Sequence, residues 1–289
     1  MNPVLADLLE LLDLESLEVN LFRGESRDIG TKQVYGGQVL GQALAAAYQT
    51  VDDDRGIHSL HAYFLRRGDM HAPIVYEVDR QRDGRSFSNR RVVAIQHGRP
   101  ILNLAASFQL RQTGVDHADA MPEVPDPESL PDIADGAVRG FDRLPEKLRR
   151  FMVDARAFSF RPINPQPYLD PEPAPPRKQT WFRALDTLPD EQRLHEALLA
   201  YASDYGLVAT AMLPHGISML HKNLQIASLD HAMWFHRPFR ADEWLLYDCD
   251  SPSASGCRGL ARGRIFNRQG NLVASTAQEG LIRIWEDDD

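Results

Sequence analysis

Residues 228–247 read SLDHAMWFHRPFRADEWLLY, and residues 59–76 read SLHAYFLRRGDMHAPIVY. Both stretches open on Ser-Leu. Both then carry an aromatic-Phe-x-Arg core, Tyr63-Phe64-Leu65-Arg66 in one and Trp234-Phe235-His236-Arg237 in the other. Each passes through a short break into a strand-like run closed by a tyrosine, Tyr76 and, 171 positions later, Tyr247. A phrase written twice in one chain predicts a unit built twice.

The surroundings of the two copies agree with this. Ahead of the first lies VYGGQVLGQALAAAYQTV, punctuated by Gly36-Gly37, with Leu40, Ala43, Leu44, Ala47 and Val51 on one helical face. Strand signals follow over 57–66, 73–81, 86–97 and 100–111, the last two joined by the turn QHGRP. Ahead of the second copy lie the strand TWFRAL and the helix DEQRLHEALLAYASDYGL, with Leu194, Ala197, Leu198, Tyr201 and Tyr205 as its stripe. Strands are then expected near 224–237, 243–250, 257–267 and 272–285, with NRQGN as the final turn. A short helix carrying Val4, Leu5, Leu8, Leu9 and Leu12 and a strand around SLEVNLFRGES open the chain. A long apolar helix followed by antiparallel strands buries its stripe when the sheet curls around it. The expected class is therefore α+β, two curved antiparallel sheets each wrapped on a central helix, with the two half-sheets hiding each other's edges.

Twelve of the 19 prolines fall between Pro122 and Pro176. Proline lacks the donor that helices and ladders need, so this zone reads as an extended connection, with a short helix near PEKLRRFMVDA. The expected division is residues 1–115, a Pro-rich connection over 116–176, and residues 177–289.

At 289 residues, 43% hydrophobic and 25% charged, the chain has the composition of a soluble globular protein. A net charge of −9 speaks against a nucleic-acid partner. The acidic groups Asp7, Glu10, Asp13 and Glu15 interrupt the apolar start, unlike a secretory signal, and no apolar run reaches membrane-spanning length. The terminal IWEDDD carries no organelle address. Cys249 and Cys257 have no CxxC or Cys/His spacing and read as reduced thiols of a cytoplasmic protein. No metal and no cofactor are expected: there is no metal-ligand spacing, phosphate loop, dinucleotide fingerprint or nucleophile elbow.

The two central helices differ in one respect. The first carries Gln38 and Gln42 and no acid along its apolar length; the second ends on Asp204 at the margin of its stripe. A carboxylate facing a curled sheet needs donors. The next strand offers Ser228 and Asp230 on one face, and the last strand offers Gln278 in alternation with Thr276 and Ala274. An acid, a hydroxyl and an amide meeting at one point suit the holding of a single water. Spacing alone is also met by a satisfied polar cluster without chemistry.

At these residues the sequence resembles acyl-CoA thioesterase II, a double-hotdog hydrolase family. The resemblance is carried by LFRGES, QVYGGQVLGQAL, HSLHAYFLRRGD, DGRSFSNRRVVAIQHGRPI, HEALLAYASDYG, PHGISMLHKNLQIASLDHAMWFHRPFRADEWLLY and VASTAQEGLIR, and is weakest in the Pro-rich middle. It implies that each half is a hotdog and that the substrate is fatty acyl-CoA, cleaved by water to fatty acid and CoA. It places the acid on Asp204 in ASDYG, the glutamine on Gln278 in STAQEG and the hydroxyl on Ser228, where bacterial relatives usually have threonine. Serine keeps the donor but loses the methyl that stiffens its rotamer.

Gly36 and Gly37 are candidates for the oxyanion-binding backbone at a helix start. Arg258 is a candidate for the nucleotide end of the substrate. Two other readings stay open: a hotdog hydratase or dehydratase using His195 and Glu196, and a non-catalytic acyl-CoA sensor. Only the second half holds the acid, so one catalytic centre per chain is expected, in a homo-oligomer, dimer or tetramer.

Overall fold

Gly37 and Gly41 stand one turn apart on the helix where the two halves of the molecule meet. A Cβ on Gly37 would collide with the Tyr201 carbonyl oxygen, and one on Gly41 would lie 3.2 Å from the Ala197 carbonyl. Only hydrogen at these positions lets two helix backbones approach so closely. The computed structural model describes residues 1–30, 33–135, 143–153 and 156–286. The last two residues of the expected PEKLRRFMVDA helix and the last three of the chain lie outside them.

The first half contains α1 (Pro3–Leu12), β1 (Glu15–Glu18), β2 (Leu21–Gly24), α2 (Gly36–Tyr48), β3 (Arg55–Phe64), β4 (Ile74–Asp83), β5 (Phe87–Gln96) and β6 (Arg99–Leu110). The remainder contains α3 (Glu146–Val153), β7 (Phe158–Pro162), β8 (Arg177–Ala184), α4 (Gln192–Ser203), β9 (Leu224–Ser228), β10 (Asp230–Phe235), β11 (Leu245–Ser255), β12 (Arg258–Asn267) and β13 (Leu272–Ile284). Asn2 caps α1 by accepting from the N–H groups of Val4 and Leu5, with Pro3 in the first turn, where a missing donor does no harm.

The strands form one continuous antiparallel sheet in the order β1-β2-β4-β5-β6-β3-β10-β13-β12-β11-β8-β7, with β9 also on β13. Counted outward from the centre, the halves match: β3-β6-β5-β4-β2-β1 on one side and β10-β13-β12-β11-β8-β7 on the other. The two copies of the repeated phrase supply the central pair, β3 and β10, in the register Leu60↔Met233 and His61↔Ala232. The repeat is thus the seam of the molecule, and neither half-sheet exposes its inner edge.

α2 and α4 pack against each other and are wrapped by the sheet. Nearly every residue from Gly37 to Tyr48 is buried, as is every residue from His195 to Ser203. This explains why α2 is so rich in alanine and glycine: it has sheet on one side and a helix on the other. The core runs through both halves without interruption, from Leu5 and Leu40 to Leu198, Ile265 and Ala274. No helix among the described residues is long and apolar enough to cross a membrane.

The structure departs from the sequence reading in four places. The opening strand is a hairpin, β1–β2, turned at Asn20 with φ of 64°. The strand expected over 224–237 breaks at Leu229, so that β9 continues along β13 after β3 has ended. The helix expected to reach Leu207 stops at Ser203, because Gly206 adopts φ of 70°. Finally, the Pro-rich stretch contributes β7, which pairs with β8 as the outermost strand. Pro162 is tolerated there because an edge strand has donors to spare.

Candidate active site

Asp204 directly follows the last residue of α4, with φ of −82° and ψ of −5°. The antiparallel packing of the helices brings the end of α4 to the start of α2. That start has no side-chain cap, since Tyr35 occupies the capping position. Its first-turn donors therefore need a partner from elsewhere. Asp204 is that partner: it accepts the backbone N–H of Gly37. Its Oδ2 lies 2.7 Å from where a Gly36 Cβ would stand, so any larger residue at 36 would press on the carboxylate.

The sheet supplies the other two donors. Gln278 of β13 donates from Nε2 to Asp204 Oδ1 at 2.7 Å, and Ser228, the last residue of β9, donates from Oγ to the same oxygen at 3.4 Å. Ser228 and Gln278 are neighbours because β9 pairs with β13 in the register Ser228↔Gly280. The three residues singled out in the sequence are thus brought together, across separations of 24 and 74 positions from Asp204. Burial raises the Asp204 carboxyl from 3.8 to about 6, against the lowering effect of Gln278, the Gly37 N–H and Ser228. Desolvation wins over three hydrogen bonds and leaves a carboxylate that takes up a proton close to neutrality. Gln278 is 1% exposed, and its Oε1 has no hydrogen-bond partner among the described residues.

Behind this cluster α4 is held in place by its own sheet. Tyr247, the closing tyrosine of the second phrase, donates its hydroxyl to the Ser203 carbonyl at 2.9 Å and lies 2.8 Å from Thr276 Oγ1. Ser203 Oγ lies 2.9 Å from Nε2 of the buried His231, whose pKa burial lowers to about 3, so this histidine is a neutral packing group. The Tyr35 hydroxyl donates to the Tyr201 carbonyl at 3.0 Å, and its ring is tilted by 38° against that of Tyr205, with centroids 4.9 Å apart. Phe64 closes another side: its ring lies 3.0 Å from the Gly36 Cβ position.

Tyr35 and Phe64 were not singled out in the sequence. The repeat could have flagged Phe64, since it is the aromatic of the first phrase. Asp230 does not join the cluster; its Oδ1 accepts the Glu279 N–H at 2.6 Å. Arg258 is not brought to it either. It is held by Glu279 at 3.0 Å, and Glu279 projects from the opposite face of β13 to Gln278.

His195 and Glu196 do not form a dyad. His195 Nδ1 accepts the Ala241 N–H at 3.1 Å, while Glu196 accepts a short hydrogen bond from the Tyr48 hydroxyl. Burial raises Glu196 from 4.5 to about 7. This pair sits where α2 ends and α4 begins, the pseudo-symmetric counterpart of Asp204 at the start of α2.

Comparison with known proteins follows the same outline. The family model for the acyl-CoA thioesterase N-terminal domain matches residues 23–109, and the acyl-CoA thioesterase model matches residues 164–281. Acyl-CoA thioesterase 2 of Haemophilus influenzae is 42% identical over 286 residues, covering 99% of this chain and 100% of its own. Acyl-coenzyme A thioesterase 8 of Homo sapiens is 43% identical, covering 95% and 88%. The crystal structure of an acyl-CoA thioesterase II from Mycobacterium marinum superposes with a TM-score of 0.80 at 46% identity, over 97% of this chain and all of that one. A hot dog fold protein from Alicyclobacillus acidocaldarius, 19% identical with a TM-score of 0.77, shares the fold. With one continuous sheet of two matching halves on two central helices and relatives this similar over nearly its whole length, the chain is a double hotdog and belongs to the acyl-CoA thioesterase II family.

Proposed function

We propose that the chain hydrolyses fatty acyl-CoA thioesters, using a water activated by Asp204 and oriented by Ser228 and Gln278. The observation that carries this reading is the convergence of three donors on one partly desolvated carboxylate at a helix start. Oδ1 accepts from Gln278 and Ser228, and Oδ2, which takes no side-chain donor among the described residues, draws a proton from water. The water oxygen attacks the thioester carbonyl carbon, and the proton passes to Asp204. The tetrahedral oxyanion collapses, the C–S bond breaks, and CoA leaves as the thiol once the proton is returned. The first turn of α2, at Gly36 and Gly37, is aimed at the same place and suits the developing negative charge. General-base assistance of this kind contributes roughly 10²–10⁴-fold.

The acyl chain lies in the apolar space between helix and sheet in this reading. Residues 1–115 and 177–289 are the two hotdog units, and 116–176 connects them. The unpaired Cys249 and Cys257 accord with a cytoplasmic protein. Tyr63 and Trp234, exposed on one face of the central strand pair, favour assembly of copies into a dimer or tetramer. The test of the reaction is release of free thiol from acyl-CoAs of graded chain length. Release at a steady rate that vanishes in Asp204→Ala supports it; tight binding of acyl-CoA with no thiol released overturns it.

A further inference from the structure

We propose that a pocket formed by Arg66, Arg67, His97 and Arg99 holds the phosphate-bearing nucleotide end of coenzyme A while the thioester lies at Asp204. This deepens the proposed function and rests on it for the identity of the ligand. The pocket has a volume of about 350 Å³. That is at the small end of the roughly 300–1,000 Å³ of small-molecule sites, enough for part of a ligand whose remainder lies elsewhere.

Its floor is held by hydrogen bonds, and the side chains of Arg66, Arg67, His97 and Arg99 stand exposed around it. The side chain of buried Gln96 accepts the Asp69 N–H at 2.8 Å and donates to the carbonyls of Asp69 and Ala72 at the same distance. The N–H groups of Leu65 and Arg66 donate to the Ile101 carbonyl at 2.8 and 3.2 Å. The β5–β6 turn, with φ of 49° at His97 and 69° at Gly98, presents Arg99 beside them. Among the described residues, Arg66 donates to the Pro100 carbonyl alone, and Arg66, Arg67 and Arg99 make no ion pair. Asp69 is the pocket's one carboxylate, and it is occupied by His97 at 3.0 Å and the His71 N–H at 2.9 Å. Three guanidinium groups beside a single carboxylate, on a chain of net charge −9, suit an anion from outside.

The pocket is also in the right place. Phe64, whose ring stands beside Gly36 and Asp204, donates its N–H at 3.0 Å to the carbonyl of Leu229, next to Ser228. Arg66 and Arg67 lie just beyond Leu65 in the chain, so their backbones are at most roughly 11 Å from that of Phe64. An extended pantetheine arm is long enough to join the two places.

The pseudo-symmetry of the molecule provides an internal control. In the second half, the N–H groups of His236 and Arg237 donate to the Val273 carbonyl, as those of Leu65 and Arg66 do to Ile101. Arg237 Nη1 donates to the Leu272 carbonyl, as Arg66 Nη1 does to Pro100. The hydrogen bonds at the strand ends are equivalent, yet the free cations are not repeated. Arg67 is matched by Pro238, Arg99 by Asn271, and Arg237 is neutralised by Asp116. Of the two equivalent turns, the one at the end that holds Asp204 carries arginines without an ion pair among the described residues, and the other does not. A generic solubilising surface has no reason to follow that asymmetry.

The test compares an acyl-CoA with the same acyl group on N-acetylcysteamine, which lacks the nucleotide. In Arg67→Ala/Arg99→Ala the ratio of kcat/KM for the CoA ester to that for the short ester falls on the order of 10-fold, through KM. Equal losses on both esters, or none, overturn the proposal. In a separate titration, adenosine 3′,5′-bisphosphate binds the wild type saturably and binds the double alanine variant on the order of 10-fold more weakly. Arg67→Lys/Arg99→Lys recovers part of the difference. No binding to the wild type overturns the proposal. If the wild type hydrolyses neither ester, the proposed reaction fails by itself and the titration alone decides the pocket.

Discussion

Gln278 Nε2 stands 2.7 Å from Asp204 Oδ1, and this one contact ties the last strand of the sheet to the end of the second central helix. The amide favours the ionised carboxyl, whereas burial favours the protonated one. Removing the amide in Gln278→Ala therefore moves the Asp204 pKa upward from about 6. The base must be ionised to act, so the wild-type kcat/KM rises with pH through about 6 and then levels. The variant's inflection lies at higher pH, with a lower plateau. A pH–rate profile of thiol release checks both; an unmoved inflection rules out Asp204 as the titrating group.

The 3.4 Å contact from Ser228 is longer than a strong O–H···O bond, which is roughly 2.5–3.0 Å. Its hydroxyl is the least constrained of the three donors. Ser228→Ala is expected to lose on the order of 10-fold or more in kcat. Ser228→Thr keeps the hydroxyl and restricts its rotamer, so its kcat stays within about 3-fold of wild type or exceeds it. Steady-state kinetics on one acyl-CoA distinguish the outcomes, and a threonine variant as poor as the alanine variant contradicts the hydroxyl's role.

Gly36 and Gly37 are adjacent but do different things. A methyl on Gly36 would meet Asp204 Oδ2 at 2.7 Å, the end of a side chain that can rotate away. A methyl on Gly37 would meet the backbone carbonyl of Tyr201, which cannot move without parting the helices. Gly36→Ala thus lowers activity strongly with a small change in Tm. Gly37→Ala destabilises the fold by about 1–3 kcal/mol or more, as overpacking of a core does. Thermal melts set beside thiol-release rates separate the two, and equal melting temperatures for both variants contradict the argument.

The parts of this arrangement that sequence could reveal are those with a period or a repeat. The doubled phrase announced the doubled sheet, and its two copies turned out to be hydrogen-bonded partners, β3 and β10. α4 was legible from Leu194, Ala197, Leu198 and Tyr201, although its stop at Ser203 is set by the left-handed Gly206, not by the stripe. β7 was not legible, because its short run ends in proline and lies in a proline-rich stretch; only its pairing with β8 makes it a strand. Asp204 was legible as an acid at the margin of an apolar stripe whose counterpart in the first half has none. Its meeting with Gly37 depends on how two helices pack, and no local pattern encodes that. Arg67 left a readable trace, an arginine in the first phrase where the second has proline.

The other end of the helix pair supports a prediction of opposite emphasis. Glu196 is 6% exposed, its carboxyl is pushed up to about 7, and it accepts from the Tyr48 hydroxyl, which itself accepts the Ile57 N–H at 2.8 Å. A carboxyl whose pKa is higher in the folded than in the unfolded chain disfavours folding once it ionises. That penalty is absent below the unfolded value near 4.5, grows as the pH rises, and is complete above about 7. Glu196→Gln keeps the hydrogen bond to Tyr48 and removes the charge. It should raise Tm at pH 8 and leave it nearly unchanged at pH 4.5. Because the pair lies at the opposite end of α4 from Asp204, thiol release should stay within about 3-fold of wild type. Loss of activity in Glu196→Gln as deep as in Asp204→Asn would mean that the second helix junction is itself a working site. The single acid at Asp204 would then no longer account for where the reaction occurs.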